Sequence, residues 1–458
     1  MKRLLIILLC LLGISLYATT YYVAPTGGSN GNNGTIGAPW ATLAYAINQL
    51  SPGDTLFIRG GVFYITSTLR FDSVLDGISG NPIVMINYPG ENPIVDCANI
   101  HAANGIVMNG VNYWTVQGIE QRYAHQDGTT TCMTGFSCNN STNIHLNYIK
   151  VHDNGGYGMD IRMCDEIYVR GVDTYNNCDS LNSNPAYNGG KGDGNGGMNY
   201  TTGADTLTWG AVYFDKCRSW NNSDDGWGVG YQMYCYIDSC WAWKNGSPLY
   251  AQGAGRGFST GHAFYPQPVL PIVILTNCVS VYNKGAGYFH NCNGENYTTT
   301  QAWYNCISAF NGSYGFSGST GPNPPTRHSY WKNNIAYHNG NIPFRHEGTT
   351  TAPAYIIRDH NTWDSPVIVT DADFVSVDST GITAARQADG SFPDNDCYNN
   401  FMCLSPASDL IDAGVDVGLP YKGKAPDLGA YESESKELVK SVYSNDKIVV
   451  SNNKIIIK

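Results

Sequence analysis

Over most of its length this chain alternates apolar and polar residues in short runs, and each run stops at an Asn or Asn-Gly turn. Tyr148-Ile149-Lys150-Val151-His152-Asp153-Asn154-Gly155 shows the pattern, which returns at residues 172–177, 217–222, 240–246, 278–283, 306–312 and 335–340. Period-two alternation marks a strand with one buried face, and Asn and Gly supply its turns. Counted from Ile149, the units start 23, 45, 23, 38, 28 and 29 residues apart, the two longest gaps reading as insertions. A repeat of roughly 20 to 30 residues made of short strands predicts a parallel β-helix, one coil per unit. Leucine-rich repeats share the period, but their leucine spacing is absent. Insertions in a solenoid gather on one face, often the binding face.

Outside the repeat the pattern changes. Residues 39–47 are apolar at helical spacing and end before Ser51-Pro52-Gly53, which predicts one short helix capping the open end of the strand stack. Residues 405–414 and 425–432 read as an end-of-helix closing segment, and residues 433–458 as a tail of short alternating strands. The tail resembles the first strands of a C-terminal sorting module of bacterial secretion, though it is too short to be a whole one. Residues 1–18 have the basic start, apolar middle and small-residue end of a secretory signal peptide, and the apolar run is too short to span a bilayer. The expected organisation is thus a signal peptide (1–18), an all-β helix domain with its caps (19–432) and a tail (433–458), secreted without membrane insertion and monomeric.

Composition narrows the partners. With 26 basic and 37 acidic residues the net charge is −11, and no basic block occurs, so nucleic acid is excluded as a partner. The repeat also accounts for polar residues that could be mistaken for chemistry. Cys217, Cys240, Cys278 and Cys306 share one repeat position and are expected to stack inside as free thiols packing like small hydrophobes. Cys132/Cys138 and Cys397/Cys403, in loop-like text, are the better disulfide candidates. Asn177, Asn222, Asn245, Asn283, Asn311 and Asn339 are expected to form an internal ladder without a chemical role.

One stretch resists that structural explanation. Asn221-Asn222-Ser223-Asp224-Asp225-Gly226 sets two carboxylates side by side with no neighbouring Lys or Arg. Two carboxylates that close cannot easily both ionise without a cation, so the pair is either a hard-cation site or an acid/base pair, against the plain reading of a solvated turn. Asn188-Gly189-Gly190-Lys191-Gly192-Asp193-Gly194 lies in the insertion before it. Gly255-Arg256-Gly257-Phe258-Ser259-Thr260-Gly261-His262 lies in the insertion after it. Asp193, Asp224 and Asp225 are the candidate metal ligands, and calcium the candidate metal. Arg256, His262 and Lys191 are the candidates for moving a proton, His262 because it titrates near neutrality. Arg256, Trp227 and Ser259 are the candidate substrate contacts.

These motifs, in an exported β-helix, resemble polysaccharide lyase family nine, which contains pectate lyases of the right-handed parallel β-helix type. The resemblance covers roughly residues 150–340. It implies calcium held by Asp193, Asp224 and Asp225, and β-elimination on an anionic uronate polysaccharide. Two positions depart from the family pattern: a third Asp of the second motif falls on Gly228, and the catalytic Lys falls on Ser259. Inverting polygalacturonases also carry an Asp and an Asp-Asp pair on a β-helix, but have His where Arg256 stands. A third reading is a non-catalytic carbohydrate-binding helix, with Trp227, Trp241, Trp243, Tyr231 and Tyr234 as stacking platforms.

Overall fold

A computed structural model describes residues 18–71, 76–101, 103–126, 133–178, 195–196, 210–229, 234–246, 253–261, 272–291, 300–318, 329–346, 356–364, 366–387, 390–392, 398–433, 448–451 and 454–457. Short strands stack coil upon coil into three faces, with every pairing between coils parallel. One face is a 12-stranded sheet running from Thr20–Val23 to Ile356–Asp359, and the second is a 10-stranded sheet from Gly61–Tyr64 to Ile335–Tyr337. The third is interrupted: five strands from Leu69–Phe71 to Asn195–Gly196, then five from Trp227–Val229 to Phe344–His346. That interruption falls beside the Asp224-Asp225 turn. In the tail, Ile448–Ser451 pairs antiparallel with Lys454–Ile457. Among the described residues no helix is long and apolar enough to cross a membrane.

The coils close because two corners repeat. The first follows the strands of the 10-stranded sheet from Lys150–His152 onward, where a left-handed residue precedes a ladder asparagine. Asn176, Asn221, Lys244, Tyr282 and Phe310 have φ between 52° and 56°. A left-handed residue other than Gly costs about 1–2 kcal/mol. The asparagine beside it offsets that cost by satisfying corner amides: Asn177 N donates to Asn222 Oδ1 at 3.1 Å, Asn222 N to Asn245 Oδ1 at 3.2 Å and Asn245 N to Asn283 Oδ1 at 3.1 Å. The ladder extends one coil earlier than the sequence pattern implied, through Asn154, and ends at Asn339.

The cysteines form the other corner, free and buried as expected. They also accept hydrogen bonds, as from Cys217 N to Cys240 Sγ at 3.2 Å. Asn334 takes over this position one coil after Cys306, whose amide donates to Asn334 Oδ1 at 2.9 Å. The last unit therefore aligns one residue differently from the sequence reading: Ile335 pairs with Ile307, not Cys306. The expected Cys132/Cys138 disulfide is also corrected. Cys138 is a free, buried thiol 3.9 Å from Cys164 Sγ, while Cys132 lies outside the described residues. Cys403 is disulfide-bonded, and Cys397 lies outside the described residues.

The N-terminal helix is shorter than its pattern, Leu43–Ile47, because Thr42 caps it; Leu43, Ala46 and Ile47 join the core of the first coils. The closing segment is longer than residues 405–432, beginning near Phe374, and does more than end the stack. Phe374, Ile382, Phe392, Tyr398, Phe401, Leu410 and Leu428 pack along the outside of the 10-stranded sheet, against Trp241, Trp243, Val279, Ile307 and Ile335. Trp241 and Trp243 are therefore buried beneath it and are not sugar platforms. Arg386 and Arg218 fasten this layer through one carboxylate, Asp173, at 2.7 and 2.5 Å.

Candidate active site

The ladder sets the position of the site. Asn222 is fixed in the stack, and Gly226 at the far end of the turn donates to Arg256 O at 2.8 Å and accepts Ser219 Oγ at 2.7 Å. Pinned at both ends, the turn directs its carboxylates at the next coil. Asp224 Oδ1 accepts from Ala254 N at 2.5 Å and Gly255 N at 3.4 Å, and Asp225 Oδ1 from Arg256 N at 2.7 Å. Close approach explains the glycines: a Cβ on Gly253 would stand 2.2 Å from Ser223 O.

Both carboxylates are buried, Asp224 8% and Asp225 5% exposed. Arg256 faces Asp225, its Nη1 3.6 Å from Oδ2. That does not neutralise the pair. Burial first, then the charge of Asp224, push Asp225 up to about 7 against the pull of Arg256. Arg256 also stacks on Phe289, with Cζ 3.7 Å from the ring centroid, and its Nη1 is 3.4 Å from Ser259 Oγ. Gly228 and Ser259 are direct neighbours across adjacent strands. The two departures from the family pattern thus meet at one spot on the helix, under the reach of Arg256.

Asp224, Asp225, Arg256 and Ser259 come together. Lys191, Asp193 and His262 lie outside the described residues. Among the described residues no group of three His, Cys, Asp or Glu side chains is gathered for a metal. The two buried, under-neutralised carboxylates nonetheless suit a hard cation. Trp227 is corrected: it is fully buried, stacked on Phe258 with ring centroids 5.4 Å apart, and cannot meet a substrate.

Trp227 was misread because the Gly-aromatic pair is itself part of the repeat. Gly226-Trp227, Gly257-Phe258, Gly287-Tyr288 and Gly315-Phe316 occupy one register, and the aromatics stack in the core. Only the residue after the aromatic faces away from it. Extending that register through the sequence would have located Phe289, which the motif reading missed.

The comparisons agree with this geometry. The family described as "Pel9A-like, right handed beta helix region" matches residues 21–305. Pectate lyase L of Dickeya chrysanthemi is 27% identical over 435 residues, 90% of each chain. Pectate lyase PEL9 of Emericella nidulans is 26% identical over 414 residues, 82% of this chain and 90% of that one. The crystal structure of pectate lyase Pel9A superposes with a TM-score of 0.71 at 25% identity, covering 91% of this chain and 96% of that one. A rhamnogalacturonan lyase shares the fold, with a TM-score of 0.71 at 22% identity, over 85% of this chain and 97% of that one. With its coils, its ladder and its paired carboxylates in place, the chain belongs to the Pel9A-like family of right-handed β-helices.

Proposed function

We propose that the protein is a secreted polysaccharide lyase that cleaves a pectate-like uronate polymer by β-elimination. The observation that carries this reading is the buried Asp224-Asp225 pair, insufficiently neutralised, beside Arg256 on a Pel9A-like helix. In this reaction the C–H bond α to the uronate carboxylate breaks, a C=C bond forms and the β-glycosidic oxygen leaves. Calcium would be held by Asp224, Asp225 and Asp193, and when bound would draw charge from the substrate carboxylate and acidify the α proton.

The chain's own groups supply the rest. A guanidinium has five N–H donors and no acceptor, which argues against Arg256 as the base. Its guanidinium, flattened on Phe289 and near Asp225, is suited to binding the uronate carboxylate and the negative charge that develops there. Ser259, fully buried beneath it, orients the guanidinium and does not act as the base. The proton then falls to His262 or Lys191.

Incubation with polygalacturonate and related uronate polymers tests this, with calcium or chelator, following unsaturated ends by absorbance alongside reducing ends. Unsaturated product that vanishes with chelator is expected. Reducing ends without unsaturation would assign a hydrolase, and binding without either product a non-catalytic helix.

A further inference from the structure

The site face continues well beyond Asp224 and Asp225. The middle residues of its strands form one row paired in register, Gly228, Ser259, Phe289, Ser317 and Arg345. The aromatics before them stack in the core, so by strand alternation the row points to the other side of the sheet. Gly228, Ser259 and Ser317 are covered there, and Phe289 and Arg345 are the half-buried members that reach solvent. Arg256 sits near one end, laid on Phe289. Arg345, three coils further on, repeats the arrangement. Its Nη1 donates to Tyr314 Oη at 3.0 Å and its Cζ lies 4.7 Å from the Tyr314 ring centroid. An aromatic ring beneath a guanidinium fixes its plane and leaves edge N–H groups free for an oxyanion.

The charge pattern singles out Arg345. Other partly buried arginines of the coils are held by carboxylates, as Arg59 is by Glu91, Arg122 by Asp96 and Arg358 by Asp364. Arg70, which also has no carboxylate partner among the described residues, is exposed to water. Arg345 is half-buried, and among the described residues no carboxylate lies within ion-pair distance of it. Beside it in the row, the buried Ser317 Oγ has no hydrogen-bond partner among the described residues. An acidic protein that leaves a partly desolvated guanidinium unpaired on its site face carries a cost that a bound anion would offset.

We propose that Arg345, held by Tyr314, binds a second carboxylate of the same uronate chain. Three coil spacings place it about 14 Å from the coil of Arg256 along the helix axis. The polymer then lies parallel to that axis, anchored at both points. This rests on the lyase reading above and adds a residue that selects for chain length.

Arg345→Gln and Arg345→Lys in the full chain test it, on polygalacturonate and on digalacturonate, with thermal unfolding to check each fold. Arg345→Gln is expected to raise KM for the polymer about 10-fold with kcat unchanged, the loss of one charge-assisted hydrogen-bonding group. KM for digalacturonate, too short to span both points, is expected to stay constant, and Arg345→Lys to recover part of the loss. An unchanged polymer KM in Arg345→Gln overturns the subsite and leaves the lyase reading standing. If the parent cleaves nothing, its polygalacturonate affinity decides. Loss of affinity in Arg345→Gln upholds the subsite while the lyase reading fails, and no binding by the parent overturns both.

Discussion

Two clusters pairing buried Asp with Arg lie on different faces of the helix, and their chemistry diverges through the ratio and the closeness of opposite charges. Under the closing segment, one carboxylate meets two guanidiniums: Asp173 is bound by Arg218 at 2.5 and 2.8 Å and by Arg386 at 2.7 and 3.1 Å. Burial alone would raise Asp173, but the two arginines outweigh it and hold it at about 2. At the site, two carboxylates lie side by side and, among the described residues, the Arg256 guanidinium approaches Asp225 alone, no nearer than 3.6 Å, and Asp225 rises to about 7. The first cluster is complete and serves as a fastener. The second is left short of positive charge, which is how a site made to receive a cation or an anionic substrate with its counterion differs from a structural one.

The largest expected effect breaks the fastener. Asp173→Ala strands two guanidiniums beneath the closing layer and is expected to destabilise by about 3–5 kcal/mol. Denaturant unfolding read separately for Trp fluorescence is the measurement, since Trp241 lies at that interface. A change below about 1 kcal/mol would show that the apolar layer alone holds the segment. Asp225→Asn should do the reverse. Activity is expected to fall on the order of 10²–10³-fold, as when a group aimed at developing charge is removed. Stability should hold or rise, because a strained buried charge is gone. A stability loss matching that of Asp173→Ala would make the pair another fastener.

Acidity separates the clusters by sign. Asp225 has its folded value raised from 3.8 to about 7, so the folded protein keeps a proton that the unfolded chain gives up. Its contribution favours folding at low pH and is lost as pH rises through that window. Asp173 has its value lowered from 3.8 to about 2, so its contribution is present above pH 3.8 and lost as pH falls toward 2. Melting temperatures of the parent and Asp225→Asn, compared from about pH 4 to 7, should therefore converge at the acid end and separate toward neutrality, the variant being the more stable. Calcium should close that gap in the parent at neutral pH, because a bound cation does what the proton did. Parallel curves without calcium would refute the electrostatic account.

The coil repeat, the asparagine ladder and the stacked thiols were legible because each follows from a local pattern recurring at fixed spacing. What was not legible depended on strand phase or on distant chain. Strands of three residues, such as Trp227–Val229, give too few alternations to say which residue faces in, and a shift of one residue reverses the answer. Trp227 therefore read as a sugar contact, and Ile335 was aligned one place off. The closing layer was invisible for another reason. Arg218 meets Tyr398 across 180 residues of sequence, at 2.6 Å, and no pattern near either residue announces the other. Of the site, the carboxylate pair was legible as motif, while Phe289 was hidden because it belongs to the next coil.

The smallest effect tests whether charge or shape is what the site takes from arginine. Arg256→Lys keeps the positive charge near Asp225 but loses the planar stack on Phe289 and the forked donors. The gap in stability between pH 4 and 7 should then change little, because the electrostatic field on the pair survives. Polymer turnover should fall by about 10-fold, because a point charge on a flexible stem orients a carboxylate less well than a fork does. The matching change in the fastener, Arg218→Lys, is expected to cost about 1–3 kcal/mol, since it removes paired hydrogen bonds to a buried carboxylate. If Arg256→Lys keeps full activity, charge alone suffices at the site, and the stacked guanidinium is a packing feature like those beneath the closing layer. If it loses stability as Arg218→Lys does, the distinction between the two clusters fails at the residue they have in common.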